Sequence, residues 1–98
     1  MKINSQKNGS NMTIELTGRL DTSTAPELEK VINTSLENIT KLVFDMDGLE
    51  YISSAGLRVL LSAQKTMNRQ GQMKLINVNE AILEIFEITG FTDIMTIE

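Results

Sequence analysis

Two groups of residues that could carry chemistry lie within one short segment, FDMDGLEYISSAGLRVL at residues 44–60. Asp45 and Asp47 form a D-x-D-G sequence, and paired carboxylates can accept a phosphoryl group or help to hold a magnesium ion. Ser53 and Ser54 follow, and a serine hydroxyl can cap a helix or accept a phosphate. The carboxylates favour a phosphatase and the hydroxyls a switchable binding domain, so the two groups predict different functions.

The composition excludes several classes of site. The 98 residues include no Cys and no His, which removes disulfides, the common zinc sites and a Ser-His-Asp triad. The net charge is −4 and the 9 Lys and Arg residues are scattered, so no basic patch for nucleic acid is present. The polar N-terminus and the lack of a long apolar run predict a cytoplasmic protein without a membrane segment, with one domain over residues 1–98.

Hydrophobic periodicity predicts the elements that must position these residues, in the order β-β-α-β-α-β-α-β. The predicted strands comprise residues 1–6, 12–17, 41–45, 73–78 and 94–97. The predicted helices comprise residues 25–38, a second from Ser53 or Ser54 to about 69, and 80–89. Segments 18–21 and 48–52 are expected to interrupt the strands. The continuous apolar run at 41–45 predicts a strand that is buried on both faces.

This order of elements predicts an α/β fold. The expected sheet is mostly parallel and mixed, with about five strands, an antiparallel N-terminal hairpin strand and three or four helices. Functional residues of such sheets gather beyond the carboxyl ends of the parallel strands. The loops that should meet there comprise residues 18–24, 46–54 and 78–80. Asp21, Asp45, Asp47 and Ser54 are therefore predicted to share one rim of the sheet.

The D-x-D-G sequence is similar to the opening motif of haloacid-dehalogenase-like phosphatases. That resemblance implies Asp45 as nucleophile and Asp47 as general acid/base, with magnesium between them. The later part of the chain does not supply the acidic pair that such an enzyme also needs, since Glu80 alone follows the next strand. We therefore interpret the two residues as turn-forming, before a Gly48 with positive φ, and keep a small magnesium-dependent phosphatase as the alternative.

The serines lie at the predicted junction between a loop and a helix. One of them can cap the helix, a role worth ~1 kcal/mol. A hydrolase nucleophile is disfavoured, because no base is available and position 52 is Ile where a G-x-S-x-G turn needs Gly. An exposed hydroxyl at a helix N-terminus is also accessible to a kinase, so the residues alone leave capping and phosphorylation open.

Three segments of the chain resemble the STAS domain of bacterial anti-sigma factor antagonists. They are TGRLDTSTAP at 17–26, LVFDMDGLEYISSAGLRVLLSAQK at 42–65 and MKLINVNEAILEIFEITGF at 73–91. The resemblance covers essentially the whole chain and implies a small STAS-like fold with no enzymatic activity, no cofactor and no metal. The phosphorylated serine of that family lies two residues before the junction glycine, which gives Ser54 before Gly56 in this sequence.

The resemblance also implies a switch that a partner controls. An anti-sigma factor that is itself a serine kinase would bind the unphosphorylated domain and release its sigma factor. Phosphorylation of Ser54 would end that binding, and a serine phosphatase would restore it. The domain is expected to be a monomer. The expected docking residues are Asp21, Ser53, Ala55, Gly56, Leu57 and Arg58.

One position departs from the pattern of that family. Many members carry Asp immediately before the phosphorylated serine, whereas this chain carries Ser53. Ser53 is therefore a candidate second acceptor, or a change that weakens recognition by the kinase. The departure also leaves open a non-switching STAS protein that serves as a scaffold or as a subunit of a transport complex.

Overall fold

The computed structural model describes residues 1–98 and contains five strands and three helices in the predicted order. The strands are β1 (Lys2–Asn8), β2 (Asn11–Leu20), β3 (Lys41–Ile52), β4 (Gln72–Ile76) and β5 (Thr96–Ile97). The helices are α1 (Ala25–Ser35), α2 (Ser54–Gln70) and α3 (Glu80–Ile88), and a 3-10 turn at Phe91–Asp93 precedes β5. None of the helices is both long and apolar enough to cross a membrane.

The strands form a single sheet in the order β1-β2-β3-β4-β5. β1 pairs with β2 in antiparallel orientation, and every other neighbouring pair is parallel. Helices α1 and α2 contact each other, and α2 also packs on β3 and β4. The predicted mixed α/β sheet with its N-terminal hairpin is therefore confirmed.

The sheet has one well-buried face, which corrects the prediction for residues 41–45. Leu42 and Phe44 are buried, whereas Val43 and Asp45 are only partly covered. The same alternation holds along β2. The prediction of a strand buried on both faces is wrong, because the buried apolar side chains of the molecule gather into a single cluster rather than into two layers.

Strands β2 and β3 are longer than predicted because their pairing tolerates two irregularities. The parallel register shifts once after Glu15 and again after Gly18. At each shift β3 contains one residue more than β2, which is a β-bulge. Both strands continue past these points to Leu20 and Ile52. The predicted interruptions at 18–21 and 48–52 are therefore wrong.

The bulges keep the apolar residues of β3 on the core side. Leu42, Phe44 and Met46 are buried at a spacing of two, as a regular strand requires. Beyond them the buried residues are Leu49 and Ile52, at a spacing of three. Each extra residue thus returns the next apolar side chain to the core.

Gly48 has a role other than the one predicted for it. It lies inside β3 and does not belong to the glycines with positive φ. A Cβ atom on Gly48 would lie 2.8 Å from Thr17 Oγ1 and 3.2 Å from the Leu16 carbonyl oxygen. Glycine is therefore required at the first bulge because β2 approaches closely there.

Two asparagines with positive φ end elements earlier than predicted. Asn38 has φ of 66°, and α1 ends at Ser35 instead of reaching residue 38. Asn77 has φ of 58°, and β4 ends at Ile76 instead of residue 78. Asparagine adopts this left-handed conformation more readily than most residues, so it suits these chain reversals.

Candidate functional site

The carboxyl ends of β2 and β3 meet the N-terminus of α2 at one rim of the sheet. The backbone N–H of Ser53 donates to the Leu20 carbonyl at 2.9 Å, which ties the residue before α2 to the end of β2. The loop that begins at Asp21 therefore lies beside the start of α2. This contact brings together the two segments that carry Asp21 and the serines.

The two serines have different surroundings. Ser53 is the N-cap of α2, and its hydroxyl oxygen accepts from the Gly56 N–H at 3.5 Å. Ser54 is the first residue of α2, is exposed, and makes no side-chain hydrogen bond within the chain. The cap is supplied by Ser53, so the Ser54 hydroxyl is free for an incoming group.

The other predicted docking residues divide into exposed and buried positions. Arg58 is exposed and forms no ion pair, and Ala55 is partly covered. Gly56 and Leu57 are buried. A Cβ on Gly56 would lie 2.7 Å from Leu20 Cγ, so this glycine allows α2 to start against the end of β2. We therefore assign Gly56 and Leu57 to packing. Of the predicted docking residues, Arg58 is exposed and Asp21, Ser53 and Ala55 are partly exposed, as is required for contact with a partner.

Asp21 organises the loop between β2 and α1. Its Oδ1 atom accepts from the Ser23 hydroxyl at 2.7 Å, from the Ser23 N–H at 3.0 Å and from the Thr24 N–H at 3.1 Å. These bonds, led by that of the Ser23 hydroxyl, outweigh desolvation and lower the pKa of the Asp21 carboxyl. The charged carboxylate thus fixes the loop beside the start of α2.

Asp45 and Asp47 do not join this rim. Both lie within β3, and Asp45 is in register with Ile76 of β4. The Asp45 Oδ1 atom accepts from the Asp47 N–H and from the Asn77 side-chain amide, each at 3.1 Å. Asp45 therefore stabilises the first bulge and the end of β4, and the prediction that it shares a rim with Ser54 is wrong. The D-x-D-G sequence lies in β3 at the first bulge, so the turn that we predicted for it is not present.

Neither carboxylate has the surroundings of a metal-dependent phosphatase. No three Asp, Glu, His or Cys side chains are grouped so that they could hold a metal ion. The one cleft of the molecule, about 500 Å³, lies between the C-terminal half of α2 and the beginnings of β3 and β4. Asp45, Asp47 and Ser54 do not line it. The rim that carries Ser54 is an open surface, which suits a macromolecular partner better than a small substrate.

Sequence reasoning missed two exposed residues on this rim, Arg19 and Tyr51. They are paired across β2 and β3 just after the second bulge. The Arg19 guanidinium carbon lies 4.1 Å from the centroid of the Tyr51 ring. The sequence contained one signal of the bulge that places them. The alternation of apolar and polar residues expected of a regular strand breaks at residues 49–52.

The sequence profile of the STAS domain matches residues 2–98, so the chain belongs to the STAS domain family. Within that family it groups with the anti-sigma factor antagonists. It is 30% identical over 84 residues to the anti-sigma-B factor antagonist of Staphylococcus aureus, covering 84% of this chain and 78% of the relative. It is 32% identical over 99 residues to BtrV of Bordetella bronchiseptica, named as a candidate anti-sigma factor antagonist, covering 99% of this chain and 85% of the relative.

The fold is that of SpoIIAA, an anti-sigma factor antagonist and cell fate determinant of Bacillus. The unphosphorylated form superposes with a TM-score of 0.79 at 16% identity, covering 99% of this chain and 87% of that one. The phosphorylated form gives a TM-score of 0.78 at 18% identity, covering 99% and 91%. At these identities the likeness concerns the fold, and the STAS-like fold predicted from the sequence is confirmed.

Proposed function

We propose that this domain is an anti-sigma factor antagonist that phosphorylation of Ser54 switches off. In the unphosphorylated state it binds an anti-sigma factor that is a serine kinase, and the sigma factor is released. The observation that carries the proposal is the free, exposed hydroxyl of Ser54 at the start of α2, in a chain of the STAS family. The relatives named above as anti-sigma factor antagonists and the SpoIIAA structure solved in phosphorylated form support it.

The chemistry of the switch follows from the position of Ser54. A phosphate adds a charge of about −1.5 to −2 and three acceptor oxygens. The N-terminus of α2 tolerates this charge, because free backbone N–H groups and the helix dipole favour an anion there. The domain should therefore stay folded when it is phosphorylated. A partner surface that fits a neutral hydroxyl would instead meet a desolvated dianion, and it would dissociate.

The domain itself performs no catalysis and needs no cofactor in this proposal. Its kinase partner transfers the phosphate to Ser54, and a separate serine phosphatase removes it. It acts as a monomer in the cytoplasm. Asp21 supports the surface by fixing its loop, and Ser53, Ala55 and Arg58 contribute contacts around Ser54.

The binding test compares Ser54→Asp with Ser54→Ala against the anti-sigma factor kinases of the organism that encodes this chain. Ser54→Asp should weaken binding about tenfold or more through the added charge, while Ser54→Ala should keep the affinity and lose the modification. Ser62→Asp is the matched control, because Ser62 is exposed on the same helix about 12 Å further along it. Equal affinities of Ser54→Asp and Ser54→Ala for the kinase would refute a switch by phosphorylation of Ser54.

The alternatives give different results with the same proteins. Magnesium-dependent hydrolysis of a generic phosphate ester, lost in Asp45→Asn and kept in Asp93→Asn, would replace the proposal with a phosphatase. Tight binding of the kinase without modification of either serine would instead support a non-switching STAS scaffold.

A further inference from the structure

The Arg19–Tyr51 pair is placed at the rim by the second bulge. Gly18 is in register with Leu49, but the next residue of β2, Arg19, is in register with Tyr51, so Glu50 is the extra residue. Without the extra residue, Tyr51 would take the inward position two residues after the buried Leu49. The bulge instead turns Tyr51 outward and leaves it 39% exposed. Bulges commonly re-aim a side chain beside a functional site.

Contacts within the chain support the pair. The guanidinium group of Arg19 stacks over the Tyr51 ring at 4.1 Å, and its Nε atom lies 3.9 Å from Asp21 Oδ2. Asp21 is in turn held by the hydrogen bonds of its own loop. Side chains that are already ordered lose less conformational entropy on binding, which favours affinity.

The hydrogen-bonding capacity of the Arg19 side chain is unused within the chain. The guanidinium group has five N–H donors and makes no hydrogen bond within the chain, and the Arg19 side chain is 60% exposed. The Tyr51 ring offers an apolar edge next to these donors. Tyrosine and arginine are among the residue types most enriched at the energetic centres of protein interfaces. Arginine pairs most strongly with a carboxylate, in a two-pronged contact.

We propose that Arg19 and Tyr51 form a second contact point for the same partner that docks at Ser54. The partner segment supplies a carboxylate to the Arg19 guanidinium and an apolar side chain that covers the Tyr51 ring. The pair belongs to the same rim as Ser54, since Tyr51 is the last residue but one of β3, just before α2, and the carbonyl of Leu20, next to Arg19, accepts from the Ser53 N–H. This inference rests on the proposed function, because it takes the anti-sigma factor kinase as the occupant.

Isothermal titration of that kinase with variants of the full chain tests the contact. Tyr51→Ala and Arg19→Lys should each weaken binding about tenfold or more, because lysine keeps the charge but loses the stacked, forked geometry. Tyr51→Phe keeps the ring and should bind within about threefold of the wild type. Arg69→Ala, at the far end of α2, is the control for loss of an exposed arginine and should bind like the wild type. Thermal unfolding of each variant confirms that the exposed substitutions leave the fold intact.

A second readout tests for the carboxylate. Affinity of the wild type should fall with rising ionic strength more steeply than that of Arg19→Gln, because the variant has lost a charge pair that salt screens. Wild-type affinity in both Tyr51→Ala and Arg19→Lys, with Ser54→Asp still defective, would overturn this inference and leave the proposed function standing. Failure of the wild type to bind any anti-sigma factor kinase of its organism would overturn both.

Discussion

Replacement of Gly56 by Ala tests how α2 is seated against the end of β2. An added Cβ would lie 2.7 Å from Leu20 Cγ, 2.9 Å from Ile52 Cγ1 and 3.0 Å from Leu20 Cδ2. Both neighbours are core residues, with 0% and 3% of their surface exposed, so neither can move aside into solvent. The helix start must shift to admit the methyl group.

The expected loss of stability follows from two opposing effects. Overpacking a well-filled core by one methyl group costs about 1–3 kcal/mol. Because the added Cβ would collide with two buried side chains, we place Gly56→Ala in the upper half of that range. Alanine is better than glycine in a helix by about 0.8–1.0 kcal/mol, which offsets part of the cost. The free energy of unfolding should therefore fall by about 1–2 kcal/mol. For a domain of this size that lowers Tm by roughly 4–16 °C.

Urea unfolding followed by circular dichroism measures this change. Ser62→Ala is the control, since it adds helix propensity at an exposed position of α2 without a collision, and it should be neutral or slightly stabilising. The displaced helix start should also weaken binding of the kinase, although the Ser54 hydroxyl itself is intact. A Gly56→Ala protein as stable as the wild type would refute the close packing of Gly56 on β2 and β3.

Three further substitutions test the supports of the rim and the fold. Gly71→Ala should destabilise the domain by more than about 2 kcal/mol, or prevent folding, because the Cβ would collide with the Thr40 backbone carbonyl, and urea unfolding measures the loss. Ser23→Ala should raise the pKa of Asp21 in an NMR titration, since it removes the largest cause of the lowering; an unchanged pKa would contradict that hydrogen bond. In the wild type the lowered pKa means that the contribution of Asp21 to stability is present above the pKa of the unfolded chain and is lost as pH falls through the folded value. Ser53→Ala removes the cap of α2 and should cost about 0.5–1 kcal/mol, the low end for caps because the bond to Gly56 is long, with phosphorylation of Ser54 retained.

Much of the fold could be predicted from periodicity and composition. The order of elements, the hairpin, the mixed parallel sheet and the start of α2 at the serines all follow from patterns that local physics imposes. The strand ends could not be predicted, because glycine at 18 and 48 usually marks a break. In this fold β2 and β3 continue through both positions, since the bulges restore burial of Leu49 and Ile52.

Only the part of the candidate site that the family resemblance supplied could be proposed from the sequence. Ser54 and its junction with Gly56 could be located in the sequence, and physics alone left capping and phosphorylation open. The structure gives the cap to Ser53 and leaves the Ser54 hydroxyl without a hydrogen bond in the chain. The Arg19–Tyr51 pair could not be predicted, because it depends on a register shift between strands that are distant in sequence.

Site-resolved phosphorylation tests the central claim most directly. The full chain is incubated with ATP and each anti-sigma factor kinase of its organism, and the product is digested and examined by mass spectrometry. We predict one phosphate, on Ser54, that is absent in Ser54→Ala and present in Ser53→Ala. A phosphate on Ser53 in the wild type, or an unmodified chain in the presence of a kinase that binds it, would contradict the proposed switch at Ser54.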